Sequence, residues 1–261
     1  MNKYIITVIG LSFIFLMTSL GGSLVFLFRK NLSGKTNSLF LGFASGLMIA
    51  SAVWSLLLPA IEQSSNYGDF KFLPAAIGLI LGTLFLVLMD KFVPYLLNRK
   101  NKSSKFTLNA STKMFLAVTL HNIPEGLAVG LIFGNAFVLG EISAFYSALW
   151  LAIGIGIQNF PEGSAVSLSM KTHGLSNKKS FIYSVLSGVV EPIMAVLGIF
   201  LSTLLSSLMP WLLAFSAGSM LFVVAEELLP EAKSSQPDSN ISGWGLILGF
   251  AIMMILDVAF G

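Results

Sequence analysis

Apolar runs of membrane-spanning length take up almost the whole sequence, near residues 5–28, 37–61, 73–97, 113–135, 144–170, 181–206, 209–231 and 241–260. A hydrocarbon core about 30 Å thick is crossed by ~20 residues of apolar helix. Lipid offers no partner to an unpaired peptide group, so runs of this kind must be helical. With 55% hydrophobic and 10% charged residues, little chain is left for a soluble domain. The expectation is one transmembrane domain over residues 1–261, all-α and integral to the membrane, with eight spans. The first run resembles a signal-peptide core, but it is too long and is followed by Arg29-Lys30, which reads as a retained helix.

The basic residues are unevenly placed. Arg29, Lys30 and Lys35 follow the first run, Lys91 to Lys113 surround the third loop, Lys171, Lys178 and Lys179 mark the fifth, and Lys233 the seventh. Only Lys3 and Lys71 fall on the other side, a division of 13 against 2 among the 15 basic residues. By the positive-inside rule the odd loops are cytoplasmic and both termini extracytoplasmic, in a multi-pass protein of the cell membrane. Loop charge of this kind serves topology, so no nucleic-acid partner is expected. Cysteine is absent, which excludes disulfides and thiolate metal sites.

Two pairs of runs repeat each other. Gly78-Leu79-Ile80-Leu81-Gly82 in the third precedes Asp90 as Gly245-Leu246-Ile247-Leu248-Gly249 in the eighth precedes Asp257. Phe43-Ala44-Ser45-Gly46, Met48 and Leu57-Leu58-Pro59 in the second match Phe215-Ser216-Ala217-Gly218, Met220 and Leu228-Leu229-Pro230 in the seventh, with one residue fewer between. Partners lie five spans apart, an odd offset, so they cross the bilayer in opposite directions. The arrangement is three, two, three: spans 1–3 and 6–8 form an inverted repeat around spans 4–5. Glycine-rich faces alone would be packing surface, and they make a homodimer a further expectation.

The unduplicated pair carries the polar groups. His121-Asn122-Ile123-Pro124-Glu125-Gly126 in span four returns 37 residues later as Gln158-Asn159-Phe160-Pro161-Glu162-Gly163 in span five. Spacings of three and four put His121, Asn122 and Glu125 on one side of a helix, and Gln158, Asn159 and Glu162 likewise. An antiparallel hairpin would bring these two faces together near mid-membrane. Pro124 and Pro161 lack the amides that would bond the carbonyls of Leu120 and Ile157, so a kink beside each motif is expected. Glu191, followed by Pro192, adds a third acid from span six. A carboxylate at this depth costs about 2.5–3.5 kcal/mol. The spans hold seven acids, Asp90, Glu125, Glu162, Glu191, Glu226, Glu227 and Asp257, but only Lys91 as a basic residue away from their ends. Protons or bound cations must supply the missing charge. Histidine nitrogen with carboxylate and amide oxygen and no sulfur favours a borderline divalent transition metal, Zn²⁺, Fe²⁺, Mn²⁺, Co²⁺ or Cd²⁺, over an alkali ion. Two ions fit if Glu125 and Glu162 bridge them.

The HNIPEG and QNFPEG hexapeptides, with Val-Val-Glu-Pro around Glu191, resemble the signatures of the ZIP (Zrt-, Irt-like protein) family of divalent metal transporters, over nearly the whole chain. The resemblance implies eight spans, metal uptake toward the cytoplasm with zinc as the first candidate, and a binuclear site in bacterial members with glutamine at position 158. It implies one site of His121, Glu125, Gln158 and Glu162 and a second of Asn122, Glu125, Asn159, Glu162 and Glu191. Asn159 stands where many bacterial relatives have aspartate, which removes a charge from the second site. The loop at 98–112 is basic and serine-rich with no histidine, unlike the histidine-rich loop of many members. Glu226 and Glu227 form an exit relay with Glu231, or are acids solvated at a helix end. Glu62 and Asp257 are candidates for attracting cations at the entrance, Asp90 beside Lys91 for an interfacial pair, and His173 for a surface residue. A proton-coupled carrier of another solute and an intramembrane metallohydrolase are the rival readings. The second needs more histidine than the two present.

Overall fold

The computed structural model describes residues 2–27, 33–100, 110–237 and 239–260. Arg29, Lys30, Lys102 and Lys105, read above as cytoplasmic anchors, lie outside the described residues. Helix accounts for nearly all of what is described, with no strand among it. The helices are α1 (Lys3–Phe26), α2 (Gly34–Glu62), α3 (Leu73–Lys100), α4 (Ala110–Leu139), α5 (Ile142–Thr172), α6 (Asn177–Leu205), α7 (Met209–Ser234) and α8 (Ile241–Phe260). Seven are long and apolar enough to cross a membrane, and α3 contributes a shorter apolar stretch, Leu73–Met89. Their bounds fall within a few residues of the apolar runs, and the chain is a multi-pass, all-helical membrane protein.

Side-chain size decides which helices touch. The main pairings are α1 on α5, α6 on α4, α2 on α8 and α7 on α3. Each is a close crossing at which glycine lets backbones meet. A Cβ built on Gly46 would fall 2.0 Å from the Leu246 carbonyl oxygen, and one on Gly249 would fall 2.1 Å from that of Phe43, so α2 and α8 interlock from both sides. Gly82 and Gly218 do the same for α3 and α7, against the carbonyls of Phe215 and Leu79. The two repeated sequence motifs are thus the faces that pack, the Gly-Leu-Ile-Leu-Gly helix of one half on the Phe-x-x-Gly helix of the other.

These contacts divide the bundle into α1, α4, α5 and α6 on one hand and α2, α3, α7 and α8 on the other, with α2 meeting α5 and α7 meeting α4 across the seam. A two-residue connection, Gly140 and Glu141, joins α4 to α5, and Gly140 takes the positive φ of 72° that so tight a reversal requires. That hairpin makes the central helices antiparallel neighbours.

The helices run unbroken through Pro124, Pro161 and Pro192. Irregular backbone lies instead in two wide π-helical turns, Ala52–Leu57 in α2 and Val224–Leu228 in α7. Each sits just before the matched prolines, Pro59 and Pro230, whose missing amide and bulky ring spoil the regular ladder one turn back. The one-residue difference in spacing between the two sequence repeats is absorbed there, in turns of six and five residues.

Gly46→Val should therefore destabilise the detergent-solubilised protein by about 1–3 kcal/mol or more through overpacking. Gly243→Ala, where an added Cβ meets nothing within 4 Å, should leave it unchanged. Thermal unfolding of both variants checks the pair, and equal midpoints would contradict the close crossing.

Candidate metal centre

The hairpin turn and the 3.6-residue helical period bring both hexapeptides to the same depth and turn them toward each other. Asn122, Glu125, Gln158, Asn159 and Glu191 are all 0% exposed and Glu162 1%. The side chain of His121 lies outside the described residues, as does that of Asp90. Gln158 Nε2 donates to Glu125 Oε1 at 2.9 Å, joining α5 to α4. Asn159 Nδ2 donates to Glu191 Oε2 at 2.5 Å, and Asn122 Nδ2 to Glu191 Oε1 at 3.1 Å, so α6 is tied to both. Glu162 lies one helical turn from Gln158 and Asn159 on α5 and is buried with them. The structure thus unites six of the seven residues singled out in the sequence.

The amides have a consequence for charge. Each turns its nitrogen to a carboxylate, which leaves its oxygen facing elsewhere. The oxygens Asn122 Oδ1, Gln158 Oε1 and Asn159 Oδ1 are buried and accept no hydrogen bond from any described residue. A buried acceptor without a donor costs roughly 1–3 kcal/mol, and a cation is the group that three such oxygens beside three carboxylates would satisfy. No set of three or more His, Asp or Glu side chains is gathered to ligand spacing by itself among the described residues. The centre is a mixed one, carboxylate with neutral amide.

Glycine sets how closely the helices approach here. Gly126 faces the backbone of Glu191, where a Cβ would fall 2.4 Å from its carbonyl oxygen. Gly163 faces Thr18 in the same way, at 2.1 Å from its carbonyl oxygen. Thr18 is a residue that the sequence reading passed over: buried in α1, it puts Oγ1 3.4 Å from Glu191 Oε1. A single threonine in an apolar run carries no signal unless its neighbour across the bundle is known. Lys171, read as a loop residue, is also buried, because α5 runs on to Thr172.

Two cavities open at opposite ends of α2. One of about 430 Å³ is lined by Trp54, Ser55, Glu62, Trp150, Ile157 and Asp257, with Ser55 Oγ donating to Asp257 Oδ1 at 2.7 Å. Ile157, the neighbour of Gln158, is among its lining residues. The other, about 490 Å³, is lined by Asn37, His173, Glu226, Glu227 and Glu231, with Ser169 Oγ donating to Glu231 Oε2 at 3.5 Å. The entrance candidates Glu62 and Asp257 therefore share one mouth, and Glu226, Glu227 and Glu231 share the other with His173. Each mouth contains residues of one π turn. From Glu162 to Thr172, α5 rises through ten residue steps, about 15 Å of helix. The hydrophobic residues Ala165 and Val166 within it are fully buried in the core.

A family model described as ZIP Zinc transporter matches residues 109–257, the part that holds both hexapeptides and Glu191. Zinc transporter ZIP11 of Homo sapiens is 35% identical, with 97% of this chain and 96% of that protein aligned. Zinc transporter GufA of Myxococcus xanthus is 34% identical over 92% of this chain and 93% of its own length. Zinc transporter ZIPB of Bordetella bronchiseptica is 33% identical over 92% and 77%.

Asn159 Nδ2 donates to Glu191 at full burial, and a hydrogen bond of this kind contributes about 0.5–1.5 kcal/mol. Asn159→Leu should lower the stability of chelator-treated protein by that amount. A change under ~0.5 kcal/mol in denaturant or thermal unfolding would show that the bond does not hold Glu191.

Proposed function

This chain belongs to the ZIP zinc transporter family, and from that premise we propose that it carries divalent transition-metal ions, zinc first among them, into the cytoplasm. The observation that carries the reading is the knot of three buried carboxylates and three amide oxygens that accept from no described residue, between α4, α5 and α6. Iron, manganese, cobalt and cadmium share the preference for nitrogen and oxygen ligands and are the other candidate substrates. His121, Glu125, Gln158 and Glu162 hold one ion. Asn122, Asn159 and Glu191 hold a second, with Glu125 and Glu162 bridging. Three carboxylates against two divalent ions come near charge balance in a region where net charge is costly. The relatives are named as transporters, which supports transport rather than hydrolysis.

The three-two-three inverted repeat accounts for the pairings. Exchange of the halves turns α1 on α5 into α6 on α4, and α2 on α8 into α7 on α3. It also relates the two π turns. Eight spans and the excess of lysine and arginine on odd loops support extracytoplasmic termini in the cell membrane. Metal enters from the mouth of Glu62 and Asp257, sheds water onto the amide oxygens and carboxylates, and leaves by the mouth of Glu226, Glu227 and Glu231. The helices rock to expose the site in turn. The seam where α2 meets α5 and α7 meets α4 is the place for that motion, because the glycine contacts that lock backbones together lie inside each four-helix group.

Zinc uptake into proteoliposomes should be lost in His121→Ala and in Glu162→Ala, and unchanged uptake in both would sink the site. Metal counting by mass spectrometry should give two ions per chain, falling to one in Glu191→Ala. The absence of cysteine makes topology directly readable. Lys71→Cys should be labelled by an impermeant maleimide in intact cells and Lys178→Cys only after permeabilisation, and the reverse pattern would invert the transporter.

A further inference from the structure

Two contact sets in the centre match residue by residue. On one side Gly126 packs on Glu191 and Asn122 Nδ2 donates to the Ser187 carbonyl at 3.1 Å. On the other Gly163 packs on Thr18 and Asn159 Nδ2 approaches the Ile14 carbonyl at 3.5 Å. Gly126 and Asn122 each map onto their partners by a shift of 37 residues, while Glu191 and Ser187 map onto Thr18 and Ile14 by a shift of 173. The same displacement holds for two independent contacts on each side. Thr18 therefore occupies, in α1, the place that Glu191 occupies in α6.

The two residues then meet. Thr18 Oγ1 lies 3.4 Å from Glu191 Oε1 and 3.2 Å from the Ile14 carbonyl oxygen, so its one proton is shared between the carboxylate and its own helix. A threonine hydroxyl in a helix commonly bonds the carbonyl four residues back, and that bond alone would be unremarkable. The surroundings direct it further. Gly188 lies one turn before Glu191, and a Cβ there would fall 2.7 Å from Thr18 Cγ2, so the methyl is seated in a groove that only glycine leaves open. With the methyl held against α6 and the backbone held against Gly163, the hydroxyl is fixed beside the carboxylate.

We propose that Thr18 is the repeat counterpart of Glu191 and a positioning residue for it, holding the carboxylate in its ligating orientation through ion loading and release. The proposal rests on the metal site described under Proposed function. Glu191 accepts from three side chains on three helices: Thr18, Asn122 and Asn159. The two asparagines are assigned as ligands of the second ion and change partners as it comes and goes. Thr18 has no part in holding the ion, so its bond is the one available throughout the cycle. The site is then asymmetric at two matched positions, His121 against Gln158 and Glu191 against Thr18. In both pairs the α1–α5 side carries the neutral oxygen group.

The experiment is zinc uptake into proteoliposomes, measured as KM and Vmax for Thr18→Val, Thr18→Ser, Glu191→Gln and the Thr18→Val/Glu191→Gln double variant. Valine keeps the shape and removes the hydroxyl. Loss of one hydrogen bond to a charged group should raise KM roughly tenfold. Serine should restore most of it. In the Glu191→Gln background, Thr18→Val should change the residual uptake or zinc binding by less than about twofold, since the bond it removes is already altered. An equal effect of Thr18→Val in both backgrounds, or failure of serine to restore, overturns the positioning role and leaves a packing role only. Wild-type uptake by Glu191→Gln would instead overturn the metal-site reading, and this proposal with it. Should Thr18→Val not fold, Thr18→Ala takes its place in the same cycle, with thermal unfolding as the control.

Discussion

Carboxylate buried at the middle of the bundle is the condition on which the rest of the structure turns. Glu125, Glu162 and Glu191 sit at 0–1% exposure between helices, where each carboxylate is costly. The chain gives Glu125 one amide donor and Glu191 two amides and a hydroxyl, neutral groups that orient the carboxylate oxygens. Amides suit this because each supplies a donor for a carboxylate and an acceptor for a cation from one rigid group.

That centre requires helices to approach far more closely than leucine or phenylalanine would allow. Glycine supplies the approach, at Gly126 on Glu191 and Gly163 on Thr18, while further glycines pair α2 with α8 and α3 with α7. In lipid, where apolar side chains gain little by leaving their surroundings, this van der Waals contact is a main source of cohesion. It also decides where the bundle is stiff. Both mouths lie on helices interrupted by a π turn and a proline, so each opening is bordered by backbone already departing from the regular ladder.

Much of the architecture was legible in advance. The all-helical build and the bounds of the described helices followed from the apolar runs, because lipid permits few backbone conformations. Six residues of the centre were legible from the two hexapeptides and Glu191-Pro192, since polar groups in such runs need a reason to be there. The π turns were not, although the unequal spacing before Pro59 and Pro230 was their trace. The prolines of the hexapeptides sit inside helices that continue through them. Proline removes one donor and adds one clash, and packing on either side of α4 and α5 keeps the rest of the ladder in place.

By itself, then, the sequence determined a membrane-embedded helical chain with carboxylates and amides gathered on two central helices. Composition, hydropathy and local spacing are properties of a linear chain, and the 3.6-residue period converts spacing into faces. Only the tertiary structure decided which faces meet. It paired Glu191 with Asn122 and Asn159, put His173 in the same mouth as Glu231, buried Lys171, and brought Thr18 to Glu191 across 173 residues of chain. Spans one and six carry no shared motif, so nothing in their letters records that correspondence. It exists in the close crossing of α1 on α5 and α6 on α4, which depends on glycine contacts between helices far apart in the chain.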